Sequence, residues 1–429
     1  MGKRTPRQRR YLYVAYTLSL TLKAANAVQT YHTARHLHDL AAAEGAALTL
    51  VMPRWLREPS LFDAALGPSV RYLPRIPFNK LTRFWKSSAF SYLERTAWSA
   101  ELLAWLLWRR LTGRRFAAIY VRDVVCAYWL ARMGALHGAP VVYEVHDLEA
   151  TNPSRARGAL WARWRRSLDL TTLRRPARLV SLTTIFRAFL DSRRLRSATD
   201  VDVIPDAYDD SLYDGTSRAA ARADLGLPDT AFIAGYAGLT FAYRRLDLLV
   251  EAFAALHDRL GEDRPLLLVL AGGRPAELAA LRAQAAELGL PVLDAPAATY
   301  PPAALLLPGQ VSQPEVVRYL YAADALIIPD TVTTLTASPL KLFEYMAAGR
   351  AIVLRQLPAL REILGDAGIY FPPGNGPALT DALERLARDP ALAEQLGTAA
   401  AERATRYTYG ERARRVLATL ARVAGDAVK

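Results

Sequence analysis

The sequence predicts an α/β protein built from two doubly wound, Rossmann-like parallel-sheet domains in tandem. Three observations carry this. Short apolar runs alternate with helical patterns over nearly the whole chain, the signature of a parallel sheet covered by helices on both faces. The alternation stops after Pro205 and restarts near Phe232. The chain also has 429 residues, enough for two cores when a domain usually takes roughly 100–200 residues.

In the first half the predicted strands are 11–15, 47–52, 117–121, 140–145, 179–182 and 201–204, with helices over 27–45, 124–136 and 158–173 between them. Residues 206–229 are rich in Asp, Gly, Ser and Pro and read as an inter-domain linker with one short helical stretch. The second half offers strands at 232–237, 266–270, 303–307, 325–328, 351–354 and 369–371. A last helix is expected over 409–423, and the pattern does not say which domain it joins. Doubly wound sheets bind ligands beyond the carboxyl ends of their strands, so two of them facing each other are expected to enclose a cleft.

Composition excludes several classes. Hydrophobic residues at 52% and charged residues at 22% describe a globular chain. Its one cysteine, Cys126, rules out an intramolecular disulfide and a cysteine zinc site, and favours a reducing compartment. The six histidines (32, 36, 38, 137, 146 and 257) are not spaced as metal ligands. Basic residues up to Arg10 followed by 11–22 and Ala24–Ala27 have the outline of a secretory leader. Tyr, Thr and Ser dilute that run, however, and a buried first strand is the preferred reading. The longest other apolar stretch, 102–108, is far shorter than the about 20 residues a bilayer requires.

The formal charge of +14 comes largely from arginine clusters at 4–10, 163–166, 174–178 and 193–196. Nucleic acid, an anionic membrane surface and a phosphorylated substrate all suit such an excess. No nucleic-acid-binding signature accompanies it, so nucleic acid is not the expected partner. Residues 81–110 interleave Phe84, Trp85, Phe90, Tyr92, Trp98, Trp105 and Trp108 with Arg83, Lys86, Arg95, Arg109 and Arg110. Such a segment fits a membrane interface, and it fits a core helix with a few surface aromatics equally well.

The strongest motif is 337–349, which follows the strand 325–328 and contains Ser338, Pro339, Leu340, Lys341 and Glu344. Ser338 is placed to cap a helix with Pro339 at its first position, where a missing N–H costs nothing. A helix N-terminus after a strand end favours phosphate, and Lys341 adds a point charge there. Glu344, a turn further on, is placed to accept hydrogen bonds from two sugar hydroxyls. The stretch resembles the donor-binding signature of the retaining glycosyltransferases of GT-B fold, glycosyltransferase family 4 (group 1). The run 308–311, 316–323 and 325–329 is similar to the family's approach to that site.

The resemblance implies that Glu344 holds the ribose of a UDP- or GDP-linked sugar. It implies that the second half binds this donor and the first half a glycan, lipid-linked or other hydroxyl acceptor. Transfer is then expected to retain anomeric configuration with no metal or other cofactor. The basic first half and the aromatic segment 81–110 lean towards a cytoplasmic protein working peripherally at the membrane face on a lipid-linked or anionic acceptor. The loop after 232–237 supplies Gly238, Arg244 and Arg245. Arg244 stands where the family places a lysine that neutralises the leaving diphosphate. Gly272, after 266–270, belongs to the same expected site or is only a tight turn. Two departures stand out. Thr336 occupies the position of a family glutamate near the transferred sugar, and Leu239 or Thr240 the position of an arginine.

In the first half, His146 ends the strand 140–145, and the resemblance places a histidine there beside the sugar. Arg122 and Asp123, after 117–121, line the acceptor side or brace a loop as an ion pair. Lys23 and Asn26 lie in the family's acceptor-side loop, which here lacks glycine. The expected domains are 1–205 and 206–406, with 407–429 packing back on the first. The alternative is a catalytically silent nucleotide-sugar-binding protein of the same fold, which the two departures favour. A dinucleotide dehydrogenase would need a Gly-x-Gly-x-x-Gly turn after its first strand, and none is present.

Overall fold

The computed structural model describes residues 8–21, 25–54, 60–77, 89–150, 159–262, 264–331 and 333–426. The chain divides into unit 1, Met1–Asp206 with Tyr409–Lys429, and unit 2, Ala207–Thr408.

Unit 1 contains strands β1 (Arg10–Val14), β2 (Ala47–Arg54), β3 (Val70–Pro74), β4 (Ala118–Val121), β5 (Val141–Val145), β6 (Arg178–Ser181) and β7 (Val201–Val203). They form one parallel sheet in the order β3-β2-β1-β4-β5-β6-β7. The first strand, β1, sits between β2 and β4, with Tyr11 in register with Leu48 on one side and Ala118 on the other. The chain therefore builds outward from β1 in one direction, returns, and builds in the other. That reversal opens a crevice at the carboxyl ends of β1 and β4.

Unit 2 repeats the plan with β8 (Phe232–Ala237), β9 (Leu266–Ala271), β10 (Val292–Leu293), β11 (Ala303–Gly309), β12 (Ala325–Ile328), β13 (Ala351–Arg355) and β14 (Ile369–Phe371). Its order is β10-β11-β9-β8-β12-β13-β14, again parallel, with the reversal between β8 and β12. Central strands such as β9 are buried along their whole length. This is why they read as continuous apolar runs and not as alternation.

Two strands were not expected from the sequence, β3 and β10. Both are edge strands with half-exposed residues, and they lack the apolar run that marks a central strand. The helix expected over 124–136 is broken at Met133 into Val124–Arg132 and Gly134–His137.

The expected linker over 206–229 is a packed part of unit 2. Ser217 caps the helix Arg218–Leu225. From that helix Arg222 donates to the Ala322 carbonyl at 2.9 Å and to Asp324 at 2.7 Å, with both side chains buried. Several of its Asp and Ser residues are caps and turns, so composition alone read capping chemistry as a linker.

The terminal helix Tyr409–Asp426 covers one face of the unit 1 sheet. Its Val416, Leu417 and Leu420 share a core with Tyr11, Tyr13, Leu48 and Leu50. Tyr409 stacks on His32 of the helix Ala25–Ala43 at 4.8 Å between ring centres. Of the aromatic segment 81–110, residues 89–110 fall in the helix Ala89–Leu111 and the rest lies outside the described residues. Tyr92 and Trp98 are buried and Trp108 is exposed. Over most of its length this is a core helix.

Candidate functional site

In unit 2 the motif residues meet at the carboxyl end of β8, beside the β8/β12 reversal. The helix starts one residue later than the sequence predicts, as Leu340–Ala347. Pro339 is its N-cap in an extended conformation and makes no side-chain cap. Ser338 therefore precedes the cap, and it is buried together with Thr336 and Ala337.

Lys341, in the first turn of this helix, is buried. Its ammonium donates to the Ala237 carbonyl at 3.2 Å and lies 3.7 Å from the centre of the Tyr236 ring. Burial pushes its pKa well below the ordinary lysine value, and the neighbouring Arg244 adds to the depression while Glu344 opposes it. Arg244 sits in the turn Ala242–Arg244 with its guanidinium 4.9 Å over Tyr243. Its Nε is buried with no partner, and among the described residues it forms no ion pair. Two cations thus converge with no carboxylate bonded to either. Arg245, by contrast, turns away and pairs with Asp247 at 3.0 Å.

Glu344, one turn after Lys341, is half-buried, and its carboxylate accepts no hydrogen bond from the described residues. Burial raises its pKa and Lys341 works against the rise. Its charge is also felt by the Tyr213 phenol, whose pKa burial holds far above normal. Thr336 is buried, and its hydroxyl makes no hydrogen bond among the described residues.

The glycines close the backbone around this point. Gly238 has φ 127°, and a Cβ there would come within 3.2 Å of the Lys341 ammonium. Gly272 has φ 114°, and a Cβ there would come within 2.5 Å of the Gly238 carbonyl. The loops after β8 and β9 therefore touch backbone to backbone, which only glycine permits. Leu239, in the position of a family arginine, is exposed. Thr240 next to it donates to Glu277 at 2.7 Å. The Tyr236 ring under Lys341 was not foreseen from the sequence. The only hint is its place in β8, two residues before Gly238.

In unit 1 a hollow of about 300 Å³ lies at the carboxyl ends of β1, β4 and β5. Asn26, Arg122, Asp123 and His146, the described candidates for the acceptor side and its edge, line it together with Gln29, Arg95 and Glu149, which were not among the candidate site residues. Lys23 lies outside the described residues. Arg122 and Asp123 do not pair with each other. Asp123 caps the helix Val124–Arg132 through Val125 and Cys126, both at 3.0 Å, and faces Arg95 at 3.4 Å.

Arg122 is committed to a buried network. It donates to Glu144 at 3.1 Å and to Thr30 at 3.3 Å, and it also bonds Gln29. Glu144 is fully buried and also receives Arg412 and the Tyr120 hydroxyl. Burial alone would raise the Glu144 pKa, but Arg412, Arg122 and His146 outweigh it and hold the carboxyl well below its ordinary range. The same carboxylate orients His146, whose Nε2 is 2.5 Å from Glu144 Oε1 and 3.0 Å from Arg122 Nε. This leaves the rest of the imidazole facing the hollow. Among the described residues no group of three or more His, Cys, Asp or Glu side chains is arranged to hold a metal ion.

Comparison with known proteins places these features in context. Residues 231–389 match the family described as glycosyl transferases group 1. The chain is 28% identical over 378 residues to a D-inositol 3-phosphate glycosyltransferase of Nocardioides sp., covering 83% of this chain and 77% of that one. Among solved structures it is similar to sucrose-phosphate synthase from Thermosynechococcus elongatus, with a TM-score of 0.71, 19% identity, and coverage of 97% of this chain and 98% of that one. It is also similar to Anabaena HepE in complex with UDP-glucose, with a TM-score of 0.67, 15% identity, and coverage of 96% and 99%.

Proposed function

We propose that the chain is a group 1 glycosyltransferase of GT-B fold, that unit 2 binds the diphosphate of a nucleotide sugar, and that the sugar passes to a hydroxyl acceptor held by unit 1. The observation that carries this is the convergence of Lys341 and Arg244, without carboxylate partners, on the glycine loops at the end of β8. A buried pair of cations costs free energy in the empty protein. A diphosphate offsets that cost, and as the bond to the sugar breaks the same cations stabilise the charge on the leaving group. They do here what a metal ion does in other transferases, so the reaction is proposed to run without one.

Glu344, with two free oxygens, takes the ribose hydroxyls, and Lys341 with Ser338 and Leu340 frames the phosphates. Thr336 offers a neutral hydroxyl to the sugar. The acceptor oxygen forms its bond to the anomeric carbon on the face from which the phosphate oxygen departs. The departing phosphate takes the acceptor's proton, so configuration is retained and no carboxylate base is required. His146, fixed by Glu144, is the unit 1 group that addresses the sugar hydroxyls. The unit 1 hollow, lined by amides, hydroxyls and carboxylates, suits a polyhydroxylated acceptor; the phosphorylated inositol named for the relatives is the first to try. The single buried Cys126 fits a cytoplasmic site of action.

The test is calorimetric titration with UDP, GDP and their sugars in EDTA. Micromolar binding by the wild-type chain, weakened at least roughly tenfold by Glu344→Ala, is the expected result. Absence of binding to any of them overturns the donor site. A second reading, a silent nucleotide-sugar-binding protein, is favoured by Thr336 and Leu239. It predicts the same binding with no release of UDP from UDP-sugar under any acceptor tried.

A further inference from the structure

A parallel sheet begins all its strands at one edge, and in unit 1 the chain repeatedly reaches that edge through arginines. Arg9 and Arg10 lead into β1, Arg114 and Arg115 into β4, and Arg174 and Arg175 into β6. Arg193, Arg194 and Arg196 stand before β7. Because β1, β4, β5, β6 and β7 are successive neighbours, these arginines form a row. They are close enough to repel: Arg109 is lowered from the ordinary arginine pKa by burial first and then by Arg10 and Arg114.

A groove of about 570 Å³ runs along the helix Ala159–Arg174 to the same edge, lined by Arg163, Arg166, Arg174 and Arg175 with Ser167 and Thr171. Among the described residues none of these four arginines is paired with a carboxylate. A helix dipole accounts for a cation at a helix end. It does not account for Arg114 and Arg115, which lie beyond the helix, nor for Arg163 and Arg166 near the helix start.

Apolar side chains stand among these charges. Trp108 and Leu111 end the Ala89–Leu111 helix and are 51% and 78% exposed, and Met133, which ends Val124–Arg132, is also exposed. Arg110 ties the end of the first of these helices to the short helix Gly134–His137 by donating to the Ala135 carbonyl. Nucleic acid would be met by the arginines alone. Exposed tryptophan and leucine set between unpaired arginines match a bilayer interface, where rings and alkyl chains sit below phosphate headgroups.

We propose that the amino-terminal edge of the unit 1 sheet docks on a bilayer rich in anionic phospholipid, with headgroup phosphates in the arginine groove and Trp108 and Leu111 inserted beneath them. The hollow at the opposite edge of the sheet then stays open to water. No described helix is long and apolar enough to cross the bilayer, so the contact is peripheral.

The full chain tests this by flotation with vesicles of phosphatidylcholine alone and of phosphatidylcholine with phosphatidylglycerol. It is expected to float only with the anionic vesicles, less so as salt rises. The triple variant Arg166→Glu/Arg174→Glu/Arg175→Glu lowers partitioning at least roughly tenfold, and Trp108→Ser/Leu111→Ser lowers it several-fold. Wild-type near-ultraviolet circular dichroism and an unchanged urea midpoint for the unit 1 transition serve as the folding control for both, and UDP binding by unit 2 reports on the donor site independently of membrane binding. Three results would overturn the proposal: no flotation with anionic vesicles, flotation untouched by the charge reversal, or duplex DNA bound as tightly as the vesicles with no effect of the Trp108 and Leu111 changes.

Discussion

Lys341 is a buried ammonium that costs the empty fold stability. Its folded pKa lies below the 10.5 of a free lysine. Between the two values the unfolded chain binds more protons than the folded one, so this group opposes folding at neutral pH and opposes it less as pH rises. Lys341→Met is therefore expected to raise the thermal midpoint by about 2–4 °C while weakening UDP binding at least roughly tenfold. Differential scanning fluorimetry and titration calorimetry read the two effects on the same sample. A bound diphosphate would favour the charged ammonium and oppose the lowering of its pKa, so wild-type UDP affinity is expected to fall as pH rises through the lowered pKa, and the Met variant to lose that slope. The sequence disclosed Lys341 and Glu344 because they share one short motif. It did not disclose Tyr236 or Arg95, whose roles exist only once residues far apart in the chain are folded together. Nor did it show that Arg122 is spent on Glu144, since its partners Gln29, Thr30 and Glu144 come from two other elements.

At the scale of elements, the terminal helix is held by a buried charge as well as by its apolar face. Arg412 and Arg122 meet on Glu144, and removing the carboxylate leaves two guanidiniums uncompensated. Glu144→Gln is expected to destabilise the chain by about 3–5 kcal/mol at pH 7, measured by urea unfolding. The wild-type carboxyl is depressed below its ordinary 4.5. Its contribution is therefore complete above that pH and is lost as pH falls toward the folded value. The Gln variant shows a flatter acid limb. The amphipathic pattern made this helix legible from sequence but left its host open, because a hydrophobic face does not name the face it meets. Edge strands β3 and β10 were illegible for a related reason, half their residues being turned to water. The ten strands inside the two sheets, read within a residue or two of their true bounds, had burial on both faces to mark them, and the edge strands β7 and β14 were read from short apolar stretches.

At the scale of the whole molecule, unit 2 is an insertion. It leaves unit 1 after Asp206 and returns at Tyr409. Its two ends lie side by side, with Tyr208 N–H donating to the Tyr407 carbonyl at 3.1 Å and Tyr208 bridged to Thr408. A fragment of residues 207–408 is therefore expected to fold alone and bind UDP with near wild-type affinity, as heteronuclear NMR and calorimetry would show. Residues 1–206 alone are expected to remain loosely packed and to bind a hydrophobic dye, because the core they share with Leu417 and Leu420 is open. The same insertion sets a delay during synthesis. The first strands made, β1 and β2, wait for the last helix made. At about 5–20 residues per second the ribosome needs about 10–40 s to complete the intervening unit. Through that interval every nascent copy carries an uncovered sheet face and a Glu144 without Arg412. The yield of folded protein is then governed by how well the cell shelters a half-finished first unit until the second has been made.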